Sequence, residues 1–567
     1  MPIVTFLPTG ASAEVPVGSS LLDAARLARV RLEAPCNGVG TCGKCRVRLD
    51  AVGQTRARIV STRGLSSEQV AEGGVLLCST LVEGDLDVTL PGSGERGLRI
   101  LEDGLRLDLP VRPAIRKSYD DERRCTIVSS GERQLAEENG DTTTRLYGVA
   151  VDIGTTTLVA SLLDLGTGAR VGSVAALNPQ VAHAQDVLSR VQIASQADGL
   201  ALLHDELMAE IDRMIGLLAA EARIPRRRIY EVVVAGNTCM MHLAANVSPE
   251  PLGRFPYTPA LAGDESRAAG SLGLRVAACA EIYFPPLISG FVGADIAAGV
   301  LSTDLPNAGG VTLFVDIGTN GEMVLARDGR LQATSTAAGP AFEGMNIACG
   351  MRAARGAVER VAVDGDDIRV ATIDGADAVG ICGSGLIEAL AAMVVTGVVE
   401  SSGRFTRKVT QLSPALRDRL RPRDGKTVFH LSGDVYLSQG DIRQVQLAKA
   451  AVRAGIDTML AHNGLVPADL DRVLVAGSFG YHLTTRSLID IGLFPPQLEG
   501  RVTFVGNTAR TGAEALLVNA DARGALLAVT RAVESIELAT DPGFTKVFVA
   551  AMAFPPAQSM QSMAIGV

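Results

Sequence analysis

An aspartate near the end of an apolar run precedes a turn rich in hydroxyl groups. Asp152 follows the run 149–151, and the chain turns at Gly154 before a second apolar run at 158–165. This pattern predicts two strands joined by a tight turn. Glycine lets the backbone pass close beneath a phosphate, and amide and hydroxyl groups donate to phosphate oxygens. The candidate donors are Gly154, Thr155, Thr156 and Thr157. Asp152 would hold Mg²⁺ through water, because this ion keeps much of its hydration shell.

The same arrangement occurs a second time. Residues 314–320 read FVDIGTN, with Asp316 in the place of the first aspartate. A second pair of similar segments, VVVAGN at 232–237 and VLVAGS at 473–478, alternates with the first pair. The order predicts a duplicated unit whose halves face each other across a nucleotide-binding cleft. An ordinary hairpin turn at each position is the alternative, and the ordered recurrence favours the nucleotide site. The donors of the second turn are Gly318, Thr319 and Asn320.

This arrangement resembles the actin, sugar-kinase and Hsp70 superfamily, which has a duplicated RNase H-like core. The resemblance implies that the two Asp-Gly turns hold the phosphates and metal of Mg²⁺–ATP, with Asp152 and Asp316 as catalytic carboxylates. It also implies that the segments 293–299 and 506–512 are the two helices that connect the lobes. The implied adenosine-binding turn consists of Gly477, Ser478, Phe479 and Gly480.

Four of the nine cysteines follow the spacing C-x5-C-x2-C-x32-C. They are Cys36, Cys42, Cys45 and Cys78. Three thiolates from one glycine-rich loop and a fourth from elsewhere can enclose a two-iron cluster, with backbone amides donating to the sulfurs. A zinc site is the alternative, but such sites usually pair two C-x2-C hooks, and only Cys42 and Cys45 form one here. The loop is similar to that of [2Fe–2S] ferredoxins, so residues 1–95 are predicted to form a β-grasp ferredoxin-like domain.

Hydrophobic patterns predict the elements that position these residues. The chain is expected to be a multidomain α/β protein with a linker or short middle region at 96–146 and the two core halves at 147–300 and 301–567, the second with an insertion. Strands or a small connecting element are predicted at 98–109. Strands are predicted at 3–6 and 13–16, and helices at 21–30, 200–221 and 441–460.

Two glycine turns in the second half, 338–344 and 380–385, are predicted to precede helices. A helix start is a good site for an anion or a ribose, so Gly383 and Ser384 are candidate nucleotide contacts, with an ordinary helix start as the alternative. His242 is predicted to be a hydrogen-bonded core histidine, and Cys125 a lone buried or half-buried thiol. No role is predicted for Cys239, Cys279, Cys349 and Cys382.

The composition excludes several classes of function. The 567 residues include 47% hydrophobic and 20% charged residues, with a formal net charge of −9, as in a soluble globular protein. Basic runs and aromatic stacking residues typical of nucleic-acid binding are missing from the sequence. It also has no apolar stretch of membrane length and no signal-peptide pattern at its start. We therefore expect a cytoplasmic protein with no nucleic-acid or membrane partner.

A more specific resemblance covers nearly the whole chain. Besides the cysteine segment, the motifs VAVDIGTTT, VAGNTCMMH, FPYTP, AGPAFEG, GICGSGLIEAL and DIRQVQLAKAAVRAGI occur in this order. Together they look like the reductive activators of corrinoid proteins. The resemblance implies an ATP-dependent enzyme that passes one electron from its [2Fe–2S] cluster to a cob(II) cofactor on a partner methyl-transfer protein, which restores cob(I). It also implies an external low-potential electron donor and leaves open whether the protein is a monomer or a homodimer.

Two other functions are compatible with the same sites. The first is a small-molecule kinase with a regulatory cluster, in which Asp295 would serve as the catalytic base. The second is a redox sensor that binds ATP and a partner without catalysis. A kinase would transfer phosphate without any requirement for the four cysteines, whereas the reductive activator requires both sites.

Overall fold

The structure is a computed structural model that describes residues 1–28, 30, 45–62, 65, 67–90, 105–477 and 483–557. Within these ranges, no helix is both long and apolar enough to span a membrane. Cys36, Cys42, Ser478, Phe479 and Gly480 lie outside the described residues, so their predicted roles remain predictions.

The first unit is a small mixed sheet with short helices packed on it. Its strands are β1 Ile3–Leu7, β2 Ala11–Glu14, β3 Arg46–Leu49, β4 Ala57–Ile59, β5 Gly74–Leu76, β6 Thr80–Val82 and β7 Leu86–Thr89, and its helices are α1 Leu21–Leu27, α2 Ala51–Thr55 and α3 Ser67–Ala71. Five strands pair in the order β2-β1-β7-β3-β5, with β1 and β7 parallel. Helix α1 begins where the Ser20 hydroxyl accepts the Asp23 amide, and it buries its apolar stripe in the core of this unit. It ends three residues before the predicted limit at Val30.

The segment predicted as a linker contains a three-stranded antiparallel sheet, which corrects that prediction. Its strands are β8 Ile115–Asp120, β9 Cys125–Ser130 and β10 Arg133–Asn139, in the order β10-β9-β8. Ile115 and Val128 join the hydrophobic core of the following lobe. The ammonium of Lys117, whose side chain is 1% exposed, donates to Glu138 at 2.9 Å and to the Tyr230 hydroxyl at 2.7 Å. The charged sequence thus contributes a buried polar network that attaches this sheet to the lobe.

The first lobe is built on a six-stranded sheet. Its strands are β11 Tyr147–Ile153, β12 Thr157–Asp164, β13 Arg170–Leu177, β14 Ile229–Gly236, β15 Glu265–Ala268 and β16 Glu281–Phe284, and its helices are α4 Val187–Ala194, α5 Gly199–Glu221, α6 Thr238–Ala244 and α7 Ala294–Ser302. The strand order is β13-β12-β11-β14-β16-β15. The strong apolar stripe of α5 packs against the sheet, as its periodicity predicts.

The second lobe has an equivalent sheet and two inserted three-stranded sheets. Its strands are β17 Val311–Ile317, β18 Gly321–Arg327, β19 Arg330–Thr336, β20 Ala357–Asp364, β21 Asp367–Thr372, β22 Gly380–Ile381, β23 Leu420–Arg423, β24 Lys426–Ser432, β25 Val435–Ser438, β26 Arg472–Ala476, β27 Val502–Gly506 and β28 Glu534–Ser535. Its helices are α8 Gly383–Val395, α9 Pro414–Arg419, α10 Gln439–His462, α11 Thr485–Asp490, α12 Thr508–Val518, α13 Asp521–Ala532 and α14 Phe544–Ala551. The main sheet runs β27-β26-β17-β18-β19-β28, and the inserted sheets are β21-β20-β22 and β23-β24-β25. A reciprocal capping box between Ser438 and Asp441 sets the start of α10.

The two main sheets confirm the predicted duplication. In each, three antiparallel strands are followed by two parallel ones, in the orders β13-β12-β11-β14-β16 and β19-β18-β17-β26-β27. The central strands β11 and β17 carry Asp152 and Asp316 at the same place, one residue before the strand ends. Duplicated topology therefore presents two equivalent Asp-Gly turns.

Helices α7 and α12 lie at the segments that the superfamily resemblance implies are connecting helices, and they pack closely against each other. A Cβ atom added to Gly512 would lie 2.2 Å from the carbonyl oxygen of Ala298, and one added to Gly299 would lie 2.8 Å from the ring of Phe314. Since real Cβ atoms do not approach other atoms this closely, only glycine permits the contact. The two helices bring the ends of both sheets to one cleft.

Candidate nucleotide cleft and cluster site

Asp152 and Asp316 lie at the ends of the two central strands, and both are half-buried. The side-chain amide of Asn507, which caps α12, donates to Asp152 Oδ2 at 2.7 Å. Gly477 follows β26 with φ of +119°, and a Cβ there would lie 2.5 Å from the Ile317 carbonyl oxygen and 3.2 Å from Asp316 Oδ1. A residue with a side chain would displace the second aspartate, so the glycine of the VLVAG segment is required by this close approach.

Two more carboxyl groups join these aspartates. Asp295 lies in the first turn of α7, and Glu322 stands opposite Asp316 in the register of β17 and β18. Burial raises the pKa of Asp152 to about 6, and burial together with repulsion from Asp152 raises the pKa of Asp295 to about 7. Burial and the charges of the other two aspartates raise the pKa of Asp316 to about 8. Burial, together with repulsion from Asp295 and Asp316, raises the pKa of Glu322 well above its ordinary value.

Such mutual repulsion is relieved by a cation, so the donor set fits a divalent ion held at this end of the cleft. Across the described ranges, however, no three His, Cys, Asp or Glu side chains are grouped closely enough to bind one metal ion together. Mg²⁺ commonly takes one or two carboxylates and completes its shell with water and substrate phosphates. The residues that would hold it are Asp152 and Asp316, with Asp295 close enough to act on both.

The first predicted phosphate turn, residues 152–157, is held by buried polar side chains. Asn178 donates from its side chain to the Gly154 carbonyl at 2.9 Å and from its backbone to the Thr156 carbonyl at 2.9 Å. The fully buried Arg190 donates to the carbonyl of Thr155, and Asn237 donates to the hydroxyl of the same residue at 2.9 Å. These contacts fix the turn in one conformation before any ligand binds.

The second predicted phosphate turn, residues 316–320, has different hydrogen-bond partners. The Thr319 hydroxyl donates to Glu343 Oε1 at 2.6 Å, and the Gly339 amide donates to the Thr319 carbonyl at 2.8 Å. Both partners come from the glycine turn predicted at 338–344, which forms a short 3-10 turn at Pro340–Glu343. The expectation that an α-helix begins there is therefore wrong. The second turn consequently has a carboxylate beside it where the first turn has a guanidinium and two amides.

The other glycine turn begins a helix as predicted. Helix α8 starts at Gly383, and the Ser384 hydroxyl lies 3.4 Å from the Cys382 sulfur. The Cys382 amide donates to the Val358 carbonyl of β20, so this helix start is attached to an inserted sheet. Nucleotide contact by Gly383 and Ser384 stays a prediction.

His242 is a core histidine, which confirms the prediction. Its side chain is fully buried, and Nδ1 lies 2.7 Å from the Thr238 carbonyl oxygen. Nε2 accepts the amides of Ala260 and Leu261, each at 3.0 Å. Burial lowers its pKa, consistent with a neutral ring that donates at Nδ1 and accepts at Nε2. Cys125 is likewise buried, as predicted.

The two described cysteines of the predicted cluster loop lie side by side. Cys45 directly precedes β3, and Cys78 is the second residue after β5, within a short 3-10 turn. Strands β3 and β5 pair antiparallel, and the Leu77 amide donates to the Cys45 carbonyl at 2.9 Å. The sulfurs of Cys45 and Cys78 consequently lie 3.3 Å apart. This distance is well above a disulfide bond of about 2.05 Å, so the two sulfurs are not bonded to each other. Two sulfurs on adjacent strand ends fit an iron–sulfur cluster, whose ligands are thiolates.

With both sites located, comparison with known proteins is informative. The chain is 32% identical over 415 residues to the corrinoid activation enzyme RamQ of Eubacterium limosum, and the match covers 71% of this chain and 70% of that enzyme. The chain belongs to the family of reductive activators of corrinoid proteins. A solved structure of a reductive activator for a corrinoid, iron–sulfur protein has a TM-score of 0.73 at 32% identity, covering 98% of this chain and 99% of that one.

A further relative of this activator is the Co(II) methylated amine-specific corrinoid protein reductase of Methanosarcina barkeri. It is 24% identical over 449 residues, which cover 72% of this chain and 77% of that reductase. Three family models match along the chain. The 2Fe-2S iron-sulfur cluster binding domain matches residues 4–83, the RACo middle region 147–308, and the C-terminal ASKHA domain of RACo 310–564. The middle-region model thus matches the first lobe and not the segment 96–146, where a linker or short middle region is predicted.

Several residues of the activator's cleft were not identified from the sequence. Asn178 and Arg190 lie after the first Asp-Gly turn, outside the recognised motif. Asn507 lies in a segment for which only a connecting helix is predicted, and no role is predicted for Glu322 or Glu343. The run Asn-Pro-Gln at 178–180 directly after β13 was the available signal, since residues on loops that follow a strand often carry function. Arg190 carried no signal, because an arginine within a helix usually lies on a solvated face.

Proposed function

We propose that this activator transfers one electron from a [2Fe–2S] cluster bound by Cys36, Cys42, Cys45 and Cys78 to the cob(II) centre of a corrinoid methyl-transfer protein, and that binding and hydrolysis of Mg²⁺–ATP drive the transfer. The corrinoid partner and a low-potential donor that reduces the cluster again are part of the proposal. The product is a cob(I) centre that can accept a methyl group.

One observation carries the proposal: a single chain combines a thiol pair in a ferredoxin-like unit with a carboxylate-lined cleft between duplicated lobes. The sulfurs of Cys45 and Cys78 are 3.3 Å apart. Asp152 and Asp316 end equivalent strands of the two lobes. The names of its relatives, a corrinoid activation enzyme and a corrinoid protein reductase, support the same reaction for this chain.

The cluster, when bound, supplies a one-electron donor at the end of β3 and β5. Reduction of a cob(II) centre by such a donor is uphill, and a gap of about 150 mV for one electron corresponds to about 3.5 kcal/mol. Differential binding of a partner by the ATP-loaded and ADP-loaded forms can supply free energy of this size. In the cleft, the carboxylates position Mg²⁺, and the two turns bind phosphate oxygens through amides and hydroxyls.

The test is a reconstituted activation assay. Reduced protein, Mg²⁺–ATP and a purified corrinoid protein in the cob(II) state are mixed, and formation of cob(I) is followed by absorbance. We expect activity to require both ATP and the cluster, so that Cys78→Ser abolishes the absorbance change and the visible colour of the cluster. Cys125→Ser is the matched control, because it removes a buried thiol from β9 outside the cluster unit.

Three results would contradict the proposal. Cob(I) formation by the Cys78→Ser protein would show that the cluster is not the donor. ATP-dependent phosphorylation of a small molecule, unchanged in Cys78→Ser, would favour the kinase alternative. A colourless protein that holds one tightly bound zinc ion would refute the cluster assignment itself.

A further inference from the structure

Glu343 is a further carboxylate of the cleft, contributed by a turn rather than by the strands that carry Asp152 and Asp316. It ends the 3-10 turn Pro340–Glu343, and its partly exposed side chain accepts the Thr319 hydroxyl at 2.6 Å. Gly339 and Gly344, both with positive φ, bound the turn on either side and fix where the carboxylate projects. Glu343 is thereby attached to the second phosphate turn.

The same segment also reaches the first phosphate turn. The Met345 sulfur lies 4.0 Å from the Thr156 hydroxyl of the opposite lobe. The charge of Glu343 acts on Asp316 of the second lobe and on Arg190 of the first. Residues 343–345 therefore extend across the cleft between the two turns that would hold the phosphates of ATP.

From this geometry we propose that Glu343 is a catalytic residue of ATP hydrolysis, which orients the attacking water and accepts its proton. The inference rests on the proposed function, because it assumes that Mg²⁺–ATP occupies the cleft. The water oxygen forms a bond to the γ-phosphorus while the bond from that phosphorus to the β,γ-bridging oxygen breaks, and the electron pair leaves with ADP. Glu343 takes a proton from the water and later releases it to solvent, so the products are ADP and inorganic phosphate.

The other carboxylates of the cleft are suited to a different task. Asp152, Asp295 and Asp316 repel one another, which suits them to surround a cation. Asp295 Oδ1 also accepts the Ile296 amide at 2.8 Å, which engages one of its oxygens at the start of α7. The charge of Glu343 also acts on Asp316, but its carboxylate accepts the Thr319 hydroxyl of a predicted phosphate turn. This contact makes Glu343 the carboxylate best placed to act on a water beside the phosphates.

The test compares Glu343→Gln with the wild type in the presence of the corrinoid partner. Glutamine keeps an oxygen that can accept the Thr319 hydroxyl, so the turn should persist while the base is lost. We expect kcat for ATP hydrolysis to fall by about 10²-fold or more, a common contribution of a general base. The dissociation constant of a non-hydrolysable ATP analogue should stay within about threefold, which on the free-energy scale is less than 1 kcal/mol. Added formate should partly restore turnover to Glu343→Ala, because it supplies a carboxylate to the vacated position.

The controls separate this inference from the proposed function. Glu534→Gln, which changes an exposed carboxylate on β28 that bonds Gln332, should leave turnover unchanged. Wild-type turnover in Glu343→Gln would overturn the role of Glu343 alone. A fall in turnover accompanied by lost analogue binding and no formate rescue would show a structural role and also overturn it. Absence of ATP hydrolysis by the wild type with its partner would overturn the proposed function and this inference with it.

Discussion

The two phosphate turns share a sequence and a strand position but differ in what surrounds them. The carbonyls of Gly154, Thr155 and Thr156 in the first turn all accept hydrogen bonds from buried side or main chains of the same lobe. The second turn instead has Glu343 on its threonine hydroxyl. Duplication therefore reproduces the backbone, while residues outside the repeat determine the chemistry. We interpret the first turn as a fixed phosphate holder and the second as the one that is coupled to catalysis.

Arg190 is the clearest difference between the turns. Its fully buried guanidinium donates to Thr155 O, to Gln180 Oε1 at 2.8 Å and to Ala184 O at 3.1 Å, and it lies 2.9 Å from Met240 Sδ. Burial lowers its pKa to about 10, so it remains a cation at neutral pH. Desolvation of this charge is costly and is offset by the acceptors around it. A cation beneath the first turn also favours the phosphates of a nucleotide.

The largest expected effect on ATP hydrolysis comes from the aspartates at equivalent positions of the two turns, Asp152 and Asp316. Asp152→Asn and Asp316→Asn should each lower Mg²⁺–ATP hydrolysis by about 10²-fold or more, because the Lewis acidity of a positioned metal supplies several kcal/mol of stabilisation. Steady-state phosphate release measures the effect. Asp328→Asn is the control, since its carboxylate lies at the exposed β18–β19 turn. Full activity in both cleft variants would refute the assignment of the two turns.

Removal of the guanidinium should affect folding more than any change at the second turn. Arg190→Met leaves the Thr155 carbonyl and Gln180 without their donor in a buried site, so we expect a loss of about 3 kcal/mol in the free energy of unfolding. Weaker binding of ATP analogues should accompany it, because the first turn loses its fixed shape. Denaturant unfolding and analogue titration are the measurements. Arg327→Met, at an exposed position, should change neither quantity, and an equally stable Arg190→Met protein would remove the basis for calling the first turn fixed.

The raised pKa values in the cleft predict a dependence on pH. Asp152, Asp295 and Asp316 have folded-state pKa values of about 6, 7 and 8, above the ordinary value of 3.8. The folded state then binds more protons than the unfolded chain between pH 4 and pH 8, so their contribution to stability is present at low pH and is lost as the pH rises through this window. Mg²⁺ competes with those protons and should stabilise the protein more at pH 8 than at pH 6.

Thermal melts with and without Mg²⁺–ADP at both pH values test this dependence. Asp316→Asn should reduce the difference in Mg²⁺–ADP stabilisation between pH 6 and pH 8, since it removes the aspartate with the highest pKa of the three. The buried Lys449, whose pKa is lowered to about 7, has the opposite effect on the pH slope, but it is present in both proteins and cancels in the comparison. Equal stabilisation by Mg²⁺–ADP at pH 6 and pH 8 would contradict the pKa assignment.

The equivalent parts of the two lobes could be predicted from the sequence because their signals are local. A strand that ends in Asp-x-Gly-Thr is recognisable within ten residues, and its repetition fixed the architecture. The C-x5-C-x2-C loop is similarly local, although only Cys45 and Cys78 lie among the described residues. The periodicity of α5 and α10 also placed those helices within two residues of their observed limits.

The residues that distinguish the two turns could not be predicted in the same way. Arg190 lies 35 residues from its partner Thr155, and Glu343 lies 24 residues from Thr319, so only the tertiary fold brings each pair together. The sheet at 115–139 was missed for a related reason. Its outer strands β8 and β10 are rich in charged residues, and the Lys117 side chain is buried through its contacts with Glu138 and Tyr230. Long-range polar contacts leave little trace in hydrophobic periodicity.

The smallest expected effect comes from the same substitution made at the equivalent threonine of each turn. This pair of variants tests the difference between the two turns most directly. Thr155→Val removes the acceptor of the buried Asn237 amide, so it should destabilise the protein by about 2 kcal/mol. It should lower ATP turnover because ATP binds more weakly. Thr319→Val removes a donor to the partly exposed Glu343, where water can replace the lost bond, so we expect only about 1 kcal/mol of destabilisation. Its turnover should nevertheless fall more than its affinity for an ATP analogue, because the carboxylate loses the hydroxyl that orients it. Unfolding, analogue binding and kcat measured on both variants would decide the matter. If the two valine variants lost stability and turnover in the same proportion, the turns would be equivalent in function as well as in fold, and the division into a fixed and a catalytic turn would be wrong.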